Sequence, residues 1–214
     1  MKIKVVIFDL DGTLYESEEY TRQLMEGIRD TLAEFLSMDT REAEKLLRRL
    51  RAEYGSITLG LKFLGIDKSE FYRVLVDKLT PEKFIKTRPK LLELLSTLRR
   101  RGLRLVCHTN ASRVLAEKVL KALEIPSNTF DVVMTCDDAE PKPMYDGYLK
   151  IIEILGVRPE DALYVGDRWK VELEPAKKLG MKTALISSKL DGEPDLLLRD
   201  VLELSEKMDF FEDP

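Results

Sequence analysis

The sequence predicts an α/β protein built on a doubly wound parallel sheet, with an α-helical domain inserted after the first strand. Five short runs rich in Val, Ile and Leu are nearly continuous in apolar character, as strands buried on both faces of a parallel sheet are. Helical patterns separate the later runs, which is the alternation typical of this fold class. The five predicted strands are Ile3–Phe8, Leu103–His108, Val132–Thr135, Ala162–Val165 and Thr183–Ile186.

The helices predicted between the later strands have recognisable ends. A leucine-rich face over residues 91–98 is followed by basic residues and then by Gly102, a typical helix stop. Ser112 is placed to cap the next helix at its N-terminus. Beyond the fifth strand, the pattern predicts a loop, one helix from Asp195 to Met208, and an acidic tail.

The stretch from Glu16 to Lys86 is too long for a single crossover helix and contains no evident strand. We therefore expect residues 1–15 and 87–214 to form the α/β core and residues 16–86 to form a separate helical domain. The hinges are expected near Tyr15–Ser17 and Thr80–Pro89. The helical patterns of the insert cover Tyr20–Leu36, Thr40–Arg51, Ile57–Leu64 and Lys68–Leu79.

Composition narrows the class of protein. The chain has 214 residues, 44% of them hydrophobic and 35% charged, which suits a globular protein with a sizeable core. Its net charge of −4 gives no reason to expect a nucleic-acid partner. No apolar run approaches the roughly 18 residues of a membrane span, and the N-terminus lacks a signal-peptide pattern. Cys107 and Cys136 lie in apolar runs, which predicts buried free thiols and a cytoplasmic protein.

Amide side chains are scarce. Gln23 is the only glutamine, and Asn110 and Asn128 are the only asparagines, whereas Lys, Arg and Glu are abundant. This bias is typical of thermophilic proteins, and a melting temperature above about 60 °C is expected.

Two acidic residues come directly after the first predicted strand. Strand side chains alternate, so Asp9 and Asp11 point to the same side, and Gly12 allows a sharp turn just after them. Carboxylates that share a site repel each other and are tolerated mainly where a cation or a reaction needs them. Taken alone, the segment is equally compatible with a strand followed by an Asp-Gly turn.

Polar residues come after the other strands as well. Thr109 and Asn110 lie after the second strand, Lys142 lies on a proline-rich loop after the third, and Asp167 lies after the fourth. The carboxyl ends of parallel strands share one edge, which is where ligands bind in this fold class. Carboxylates, a hydroxyl, an ammonium and free backbone N–H groups match the needs of phosphoryl transfer.

These residues carry a resemblance to a known family. Asp9-Leu-Asp11-Gly-Thr13, Thr109-Asn110, Lys142-Pro143 and Gly166-Asp167 resemble, in order, the four motifs of the haloacid dehalogenase (HAD) superfamily. The position of the insert resembles that of a C1-type helical cap. The resemblance implies a Rossmann-like core beneath a cap domain and a small phosphorylated substrate.

The resemblance also implies catalytic roles. Asp9 would be the nucleophile that forms an aspartyl-phosphate, and Asp11 would protonate the leaving oxygen and then activate water. Thr109 and the backbone N–H of Asn110 would hold phosphoryl oxygens. Lys142 would neutralise the charge of both the phosphate and the nucleophile.

A magnesium site is implied at the same place. Asp167, Asp9 and the backbone carbonyl of Asp11 would hold Mg²⁺, which prefers hard oxygen ligands. Glu172 lies five residues after Asp167 and would support the water ligands of the metal or orient the active-site lysine. Arg168 stands where a small residue is common in the family; it would contact substrate or pair with Glu172, and the sequence does not decide between these.

The implied activity is a Mg²⁺-dependent phosphomonoesterase, with several alternatives for the substrate. Residues 54–61 resemble a cap segment of pyrimidine 5′-nucleotidases, phosphoglycolate phosphatase-like specificity is a further option, and a sugar phosphomutase stays open. A dehalogenase is disfavoured because displacing halide needs no acid such as Asp11. A non-catalytic binding protein has no use for that acid either. His108, the only histidine, is expected to be structural because it should point away from Thr109.

Overall fold

The computed structural model describes residues 3–207 and confirms the predicted α/β fold. Six parallel strands form one sheet in the order β3-β2-β1-β4-β5-β6, so the first strand lies at the centre. The chain builds one half of the sheet outward from β1 and then crosses back to build the other half. The strands are β1 (Val5–Phe8), β2 (Arg104–His108), β3 (Val132–Met134), β4 (Ala162–Gly166), β5 (Lys182–Ile186) and β6 (Leu196–Leu198).

Helices occupy the segments between strands, with ends close to those that the sequence predicts. Ser112 caps α7 by accepting a hydrogen bond from the backbone N–H of Leu115, and Gly156 ends α8 in the left-handed conformation. The helices are α1 (Glu18–Leu36), α2 (Thr40–Tyr54), α3 (Ile57–Phe63), α4 (Lys68–Asp77), α5 (Pro81–Phe84), α6 (Pro89–Arg100), α7 (Arg113–Ala122), α8 (Asp146–Leu155), α9 (Glu174–Lys178) and α10 (Leu204–Lys207).

Both faces of the sheet are buried, as the continuous apolar strands require. Val6 and Phe8 of β1 pack on one face with α6 and α7, while Val5 and Ile7 pack on the other with α8. All four side chains are fully buried. This double burial fixes the position of the loop that leaves β1.

Helices α1–α5 come between β1 and β2 in the chain, and α1–α4 share a buried interior that includes Leu32, Leu47 and Leu75. The same cluster extends onto Ala111 and Leu115, which belong to the segment after β2. The helical insert therefore packs directly on the carboxyl edge of the sheet. The boundaries of the two domains stay a prediction.

The prediction of a single helix from Asp195 to Met208 is wrong. Leu196–Leu198 instead forms β6, which pairs with β5, and a 3₁₀ turn over Val201–Glu203 precedes α10. Without β6, the outer edge of β5 would have unpaired backbone groups, so the three leucines complete the sheet. Met208 and the predicted acidic tail lie outside the described residues.

Two compositional expectations can be compared with the structure. Cys107 and Cys136 are buried free thiols, as predicted. Across residues 3–207, no helix combines the length and the apolar character that crossing a membrane requires.

Candidate active site

The strand order brings the predicted site residues together. Because β1 pairs with β2 on one side and β4 on the other, Asp9, Thr109 and Asp167 begin three neighbouring loops at one edge. The chain reverses its direction of winding at this point, where doubly wound folds bind ligands. Asp9 continues the sheet by one residue, since its backbone N–H donates to the Val165 carbonyl at 2.9 Å.

A buried ion pair joins Asp9 to Lys142. The ammonium contacts Asp9 Oδ1, donates to the His108 carbonyl at 2.9 Å, and is completely buried. Burial raises the pKa of Asp9, as does nearby Glu172, while Lys142 opposes that rise. Burial acts to lower the pKa of Lys142, but Asp9 and Glu172 outweigh it and raise that pKa, so the lysine stays charged.

The acidic residues of the site fit a divalent cation. Carboxylate oxygens of Asp9, Asp167 and Glu172 lie within 4.8 Å of one another. Asp9 Oδ2 and Asp167 Oδ1 are buried and have no hydrogen-bond partner among residues 3–207. Burying unpartnered carboxylate oxygens is costly, and a hard cation ligated by these oxygens would remove that cost. Burial, reinforced by Glu172 and Asp9, likewise raises the pKa of Asp167.

Glu172 connects the lysine to the loop after β4. Its carboxylate lies 3.5 Å from Lys142 Nζ and accepts a hydrogen bond from Arg168 Nε at 2.9 Å. It also accepts from the backbone N–H of Asp167 at 3.2 Å. Burial would raise the pKa of Glu172, but Lys142 and Arg168 hold it below its ordinary value. The sequence left open whether Arg168 would contact substrate or pair with Glu172, and the structure shows the pair with Glu172.

Two glycines make this packing possible. Gly12 has φ +85°, and a Cβ atom there would lie 2.6 Å from Asp167 Oδ2. A Cβ atom on Gly166 would lie 2.5 Å from Glu172 Oε2. A side chain at either glycine would therefore collide with an acidic group of the site.

Asp11 lines the same cavity as Asp9 but has a different partner. The Tyr15 hydroxyl donates a hydrogen bond to Asp11 Oδ1, and the Tyr15 side chain is buried. Burial and the Asp11 carboxylate raise the pKa of Tyr15, so the phenol keeps its proton. Sequence reasoning missed Tyr15, although its position four residues after Asp11 in a tight turn was a usable signal.

The loop after β2 is tied to the lysine loop. Asn110 Oδ1 accepts from the Lys142 backbone N–H at 2.7 Å, and Asn110 Nδ2 donates to the Lys142 carbonyl at 2.9 Å. Thr109 Oγ1 accepts from the Ala111 N–H at 3.1 Å. These bonds connect the two loops that carry the predicted phosphate-binding residues.

The helical insert forms hydrogen bonds with Asn110, on the loop after β2. Asn110 Nδ2 donates to Ser56 Oγ at 2.9 Å, and the Asn110 carbonyl accepts from the hydroxyls of Thr58 and Tyr72, each at 3.1 Å. The segment of residues 54–61 therefore does extend to the site, as the sequence suggested. Tyr72 was not foreseen, because its contact depends on how α4 packs rather than on any local pattern.

A cavity of about 630 Å³ lies between the insert and the sheet edge. Asp9, Asp11, Thr109 and Asp167 line its floor, and residues of α1, Arg51 and the segment 55–58 line much of the opposite side. Arg22 and Arg51 are the lining cations contributed by the insert. Within the described part of the chain, neither has an ion-pair partner within 4.0 Å.

His108 lies away from the cavity, as expected. Its side chain is buried against Tyr148, and its Nδ1 lies 3.1 Å from the Tyr164 hydroxyl. Burial, with a smaller effect from Lys142, lowers its pKa well below the ordinary value. The imidazole is therefore a neutral packing group.

Comparison with known proteins is consistent with this geometry. A phosphoglycolate phosphatase from Aquifex aeolicus is 30% identical, covering 97% of both chains. A glyceraldehyde 3-phosphate phosphatase from Methanopyrus kandleri is 32% identical, covering 86% of this chain and 84% of its own. The crystal structure of a HAD phosphatase from Thermococcus onnurineus superimposes with a TM-score of 0.70 at 28% identity, covering 95% of this chain and 97% of its own.

The family model for haloacid dehalogenase-like hydrolases matches residues 3–180, which include every predicted site residue. The match spans the insert and strands β1–β4, so it covers the site and the helices above it. The chain is an enzyme of the phosphatase type and belongs to the haloacid dehalogenase-like hydrolases.

Proposed function

We propose that this enzyme is a Mg²⁺-dependent phosphomonoesterase that hydrolyses a small phosphorylated metabolite through an aspartyl-phosphate on Asp9. The observation that carries the proposal is the arrangement of Asp9 and Asp11 on the cavity floor. Asp9 is paired with a buried lysine, while Asp11 is held by a neutral phenol. One carboxylate is thus suited to attack and the other to carry a proton.

In the proposed reaction, the two aspartates have different roles. An oxygen of Asp9 attacks phosphorus, the bond from phosphorus to the ester oxygen breaks, and Asp11 gives its proton to the leaving oxygen. Water then attacks the phosphoryl group and transfers a proton to Asp11. The bond between Asp9 and phosphorus breaks, which releases phosphate and restores both aspartates.

Residues around the two aspartates would stabilise the negative charge of the phosphoryl group. Lys142, the Thr109 hydroxyl and the Asn110 backbone N–H would neutralise and hold the phosphoryl oxygens. Asp9, Asp167 and the backbone carbonyl of Asp11 would hold Mg²⁺, which supplies positive charge next to the phosphoryl group when bound. Glu172 would keep Lys142 directed at the nucleophile, since its carboxylate also contacts that ammonium.

The same features weigh against the other reactions. Halide displacement needs no proton donor, so a dehalogenase would not need Asp11. A binding protein would gain nothing from an acid held beside a nucleophile. A sugar phosphomutase remains the runner-up, because it would use the same aspartates under a lid that excludes water.

The cavity favours a small substrate with a second negative charge, such as phosphoglycolate. Arg22 and Arg51 line the side formed by the insert, and neither is neutralised by a close carboxylate in residues 3–207. Arg51 also lies one turn before the loop that contacts Asn110. Guanidinium groups bind carboxylates in a planar, two-bond geometry. The relative named as a phosphoglycolate phosphatase agrees with this choice.

The test is a phosphate-release assay with p-nitrophenyl phosphate and Mg²⁺, run beside an Asp9→Asn variant and an EDTA control. The proposal expects activity in the wild type alone. A wild type that releases no phosphate would refute the phosphatase assignment, and an active Asp9→Asn variant would refute the nucleophile. A panel of phosphoglycolate, glyceraldehyde 3-phosphate, pyrimidine nucleoside monophosphates and sugar phosphates then identifies the substrate.

A further inference from the structure

The turn after β1 folds back so that Tyr15 lies against Asp11. The Gly12 backbone N–H donates to the Tyr15 carbonyl at 3.1 Å, and residues 11 and 15 form an isolated β-bridge. The Tyr15 side chain is only 4% exposed, so its ring has little freedom to leave this position. Backbone and packing together direct the phenol at the Asp11 carboxyl.

The hydrogen bond makes the two carboxylate oxygens of Asp11 different from each other. Tyr15 donates to Oδ1, and within residues 3–207 no other side chain donates a hydrogen bond to this carboxyl. A carboxyl group that must pass a proton to substrate needs one oxygen fixed for orientation and the other left to exchange the proton. The phenol supplies the fixed point and fixes the plane of the group.

We propose that Tyr15 is a positioning residue that orients Asp11 through Oδ1, so that Oδ2 is the oxygen that protonates the leaving group. The inference rests on the proposed phosphatase function. Tyr15 exchanges no proton with substrate itself. It acts only through Asp11, and its removal leaves Asp9, Lys142 and the metal-binding carboxylates in place.

The chain contains a matched control. The Tyr20 ring lies 6.1 Å from that of Tyr15, and it is equally buried. Its hydroxyl has no hydrogen-bond partner among the described residues. Tyr20→Phe therefore removes the same atom from the same neighbourhood without touching Asp11, whereas Tyr15→Phe removes the hydrogen bond.

The experiment compares two esters of similar size, phenyl phosphate and p-nitrophenyl phosphate, by their kcat/KM values. Phenolate is the poorer leaving group and needs the proton more. General acids contribute about 10²–10⁴-fold, so we expect Tyr15→Phe to lower kcat/KM for phenyl phosphate by about tenfold more than for p-nitrophenyl phosphate. Tyr20→Phe should leave the ratio of the two values unchanged. The p-nitrophenyl phosphate reaction also shows that each variant is folded.

A double variant completes the test. Asp11→Asn should change the same ratio by more, and adding Tyr15→Phe to Asp11→Asn should change it no further, because Tyr15 acts through Asp11. Equal losses on both esters in Tyr15→Phe, or a further change in the double variant, would overturn the inference while leaving the phosphatase function intact. A wild type that is inactive on both esters would instead overturn the proposed function, and this inference with it.

Discussion

Lys142 Nζ pairs with one carboxylate oxygen of Asp9, while the other oxygen of Asp9 is buried without a hydrogen-bond partner in residues 3–207. The lysine therefore contacts only one of the two carboxylate oxygens of Asp9. The Asp9 carboxylate lies within 4.8 Å of those on Asp167 and Glu172, in a group whose charges repel one another. A cation bound between these carboxylates would contact the second oxygen of Asp9 and reduce the repulsion within the group.

Magnesium affinity should rise with pH. Burial and mutual repulsion raise the pKa values of Asp9 and Asp167 in the metal-free protein, so each is partly protonated near neutrality. The cation requires the ionised forms, so binding must displace protons. Isothermal titration calorimetry in buffers of different ionisation enthalpy should show proton release and tighter binding at about pH 8 than at about pH 6.

The control for magnesium binding is Glu34→Gln, which removes an exposed carboxylate that pairs with Lys78 on the insert and does not line the cavity. It should keep the wild-type affinity, whereas Asp167→Asn should lose it. An affinity that is the same at both pH values would contradict the assignment of these carboxylates as metal ligands.

His108 should stay neutral through the physiological range. Burial lowers its pKa well below 6.5, and it is the only histidine in the chain, so its ring protons are a clean NMR probe. The folded protein should show no titration of this ring between about pH 5 and 8, and the urea-unfolded protein should titrate near 6.5. Because the unfolded state then binds the extra proton, the free energy of unfolding should decrease as pH falls below that value. A folded-state titration near 6.5 would contradict the packing described here.

Two buried threonines of the insert should respond in opposite directions to replacement by valine. Thr31 Oγ1 has no partner among the described residues, so Thr31→Val should raise the free energy of unfolding by about 1 kcal/mol. Thr58 Oγ1 donates a hydrogen bond to the Asn110 carbonyl, so Thr58→Val should lower it by about 1–2 kcal/mol. Urea denaturation measures both, and equal effects would contradict the assigned hydrogen bonds.

Arg51 should contribute to selectivity rather than to the chemistry. We expect Arg51→Met to lower kcat/KM for phosphoglycolate by about tenfold, since a charge-assisted hydrogen bond contributes about 1.5–3 kcal/mol, and to affect p-nitrophenyl phosphate much less. The control is Arg48→Met on the same helix, where an exposed arginine pairs with Glu44 and does not line the cavity. Similar losses on both substrates in Arg51→Met would count against recognition of a second anion.

The motifs at the strand ends could be predicted because parallel strands fix the starting point of each loop that leaves them. Asp9, Thr109 and Asp167 each come after a continuous apolar run, so topology alone predicted that they meet at one edge. Lys142 also follows a strand, but its pairing with Asp9 was expected only from the family resemblance, since strand order does not fix the direction of a lysine side chain on a loop. The cytoplasmic location and thermophilic origin stay predictions from composition.

The insert contributions to the site could not be predicted in this way. Thr58 and Tyr72 contact Asn110 only because α3 and α4 pack on the loop after β2, and helical periodicity does not encode that packing. The strand β6 was missed because three leucines suit a helix or a strand equally, and only the open edge of β5 decides between them.

In the proposed reaction, Asp9 carries the phosphoryl group during turnover. The most direct measurement is mass spectrometry of peptides from enzyme quenched in acid during turnover of p-nitrophenyl phosphate with Mg²⁺. We expect one phosphoryl group on the peptide that contains Asp9, and none in the Asp9→Asn variant. Steady release of phosphate by the wild type, with the phosphoryl group absent from that peptide or attached to another residue, would contradict it.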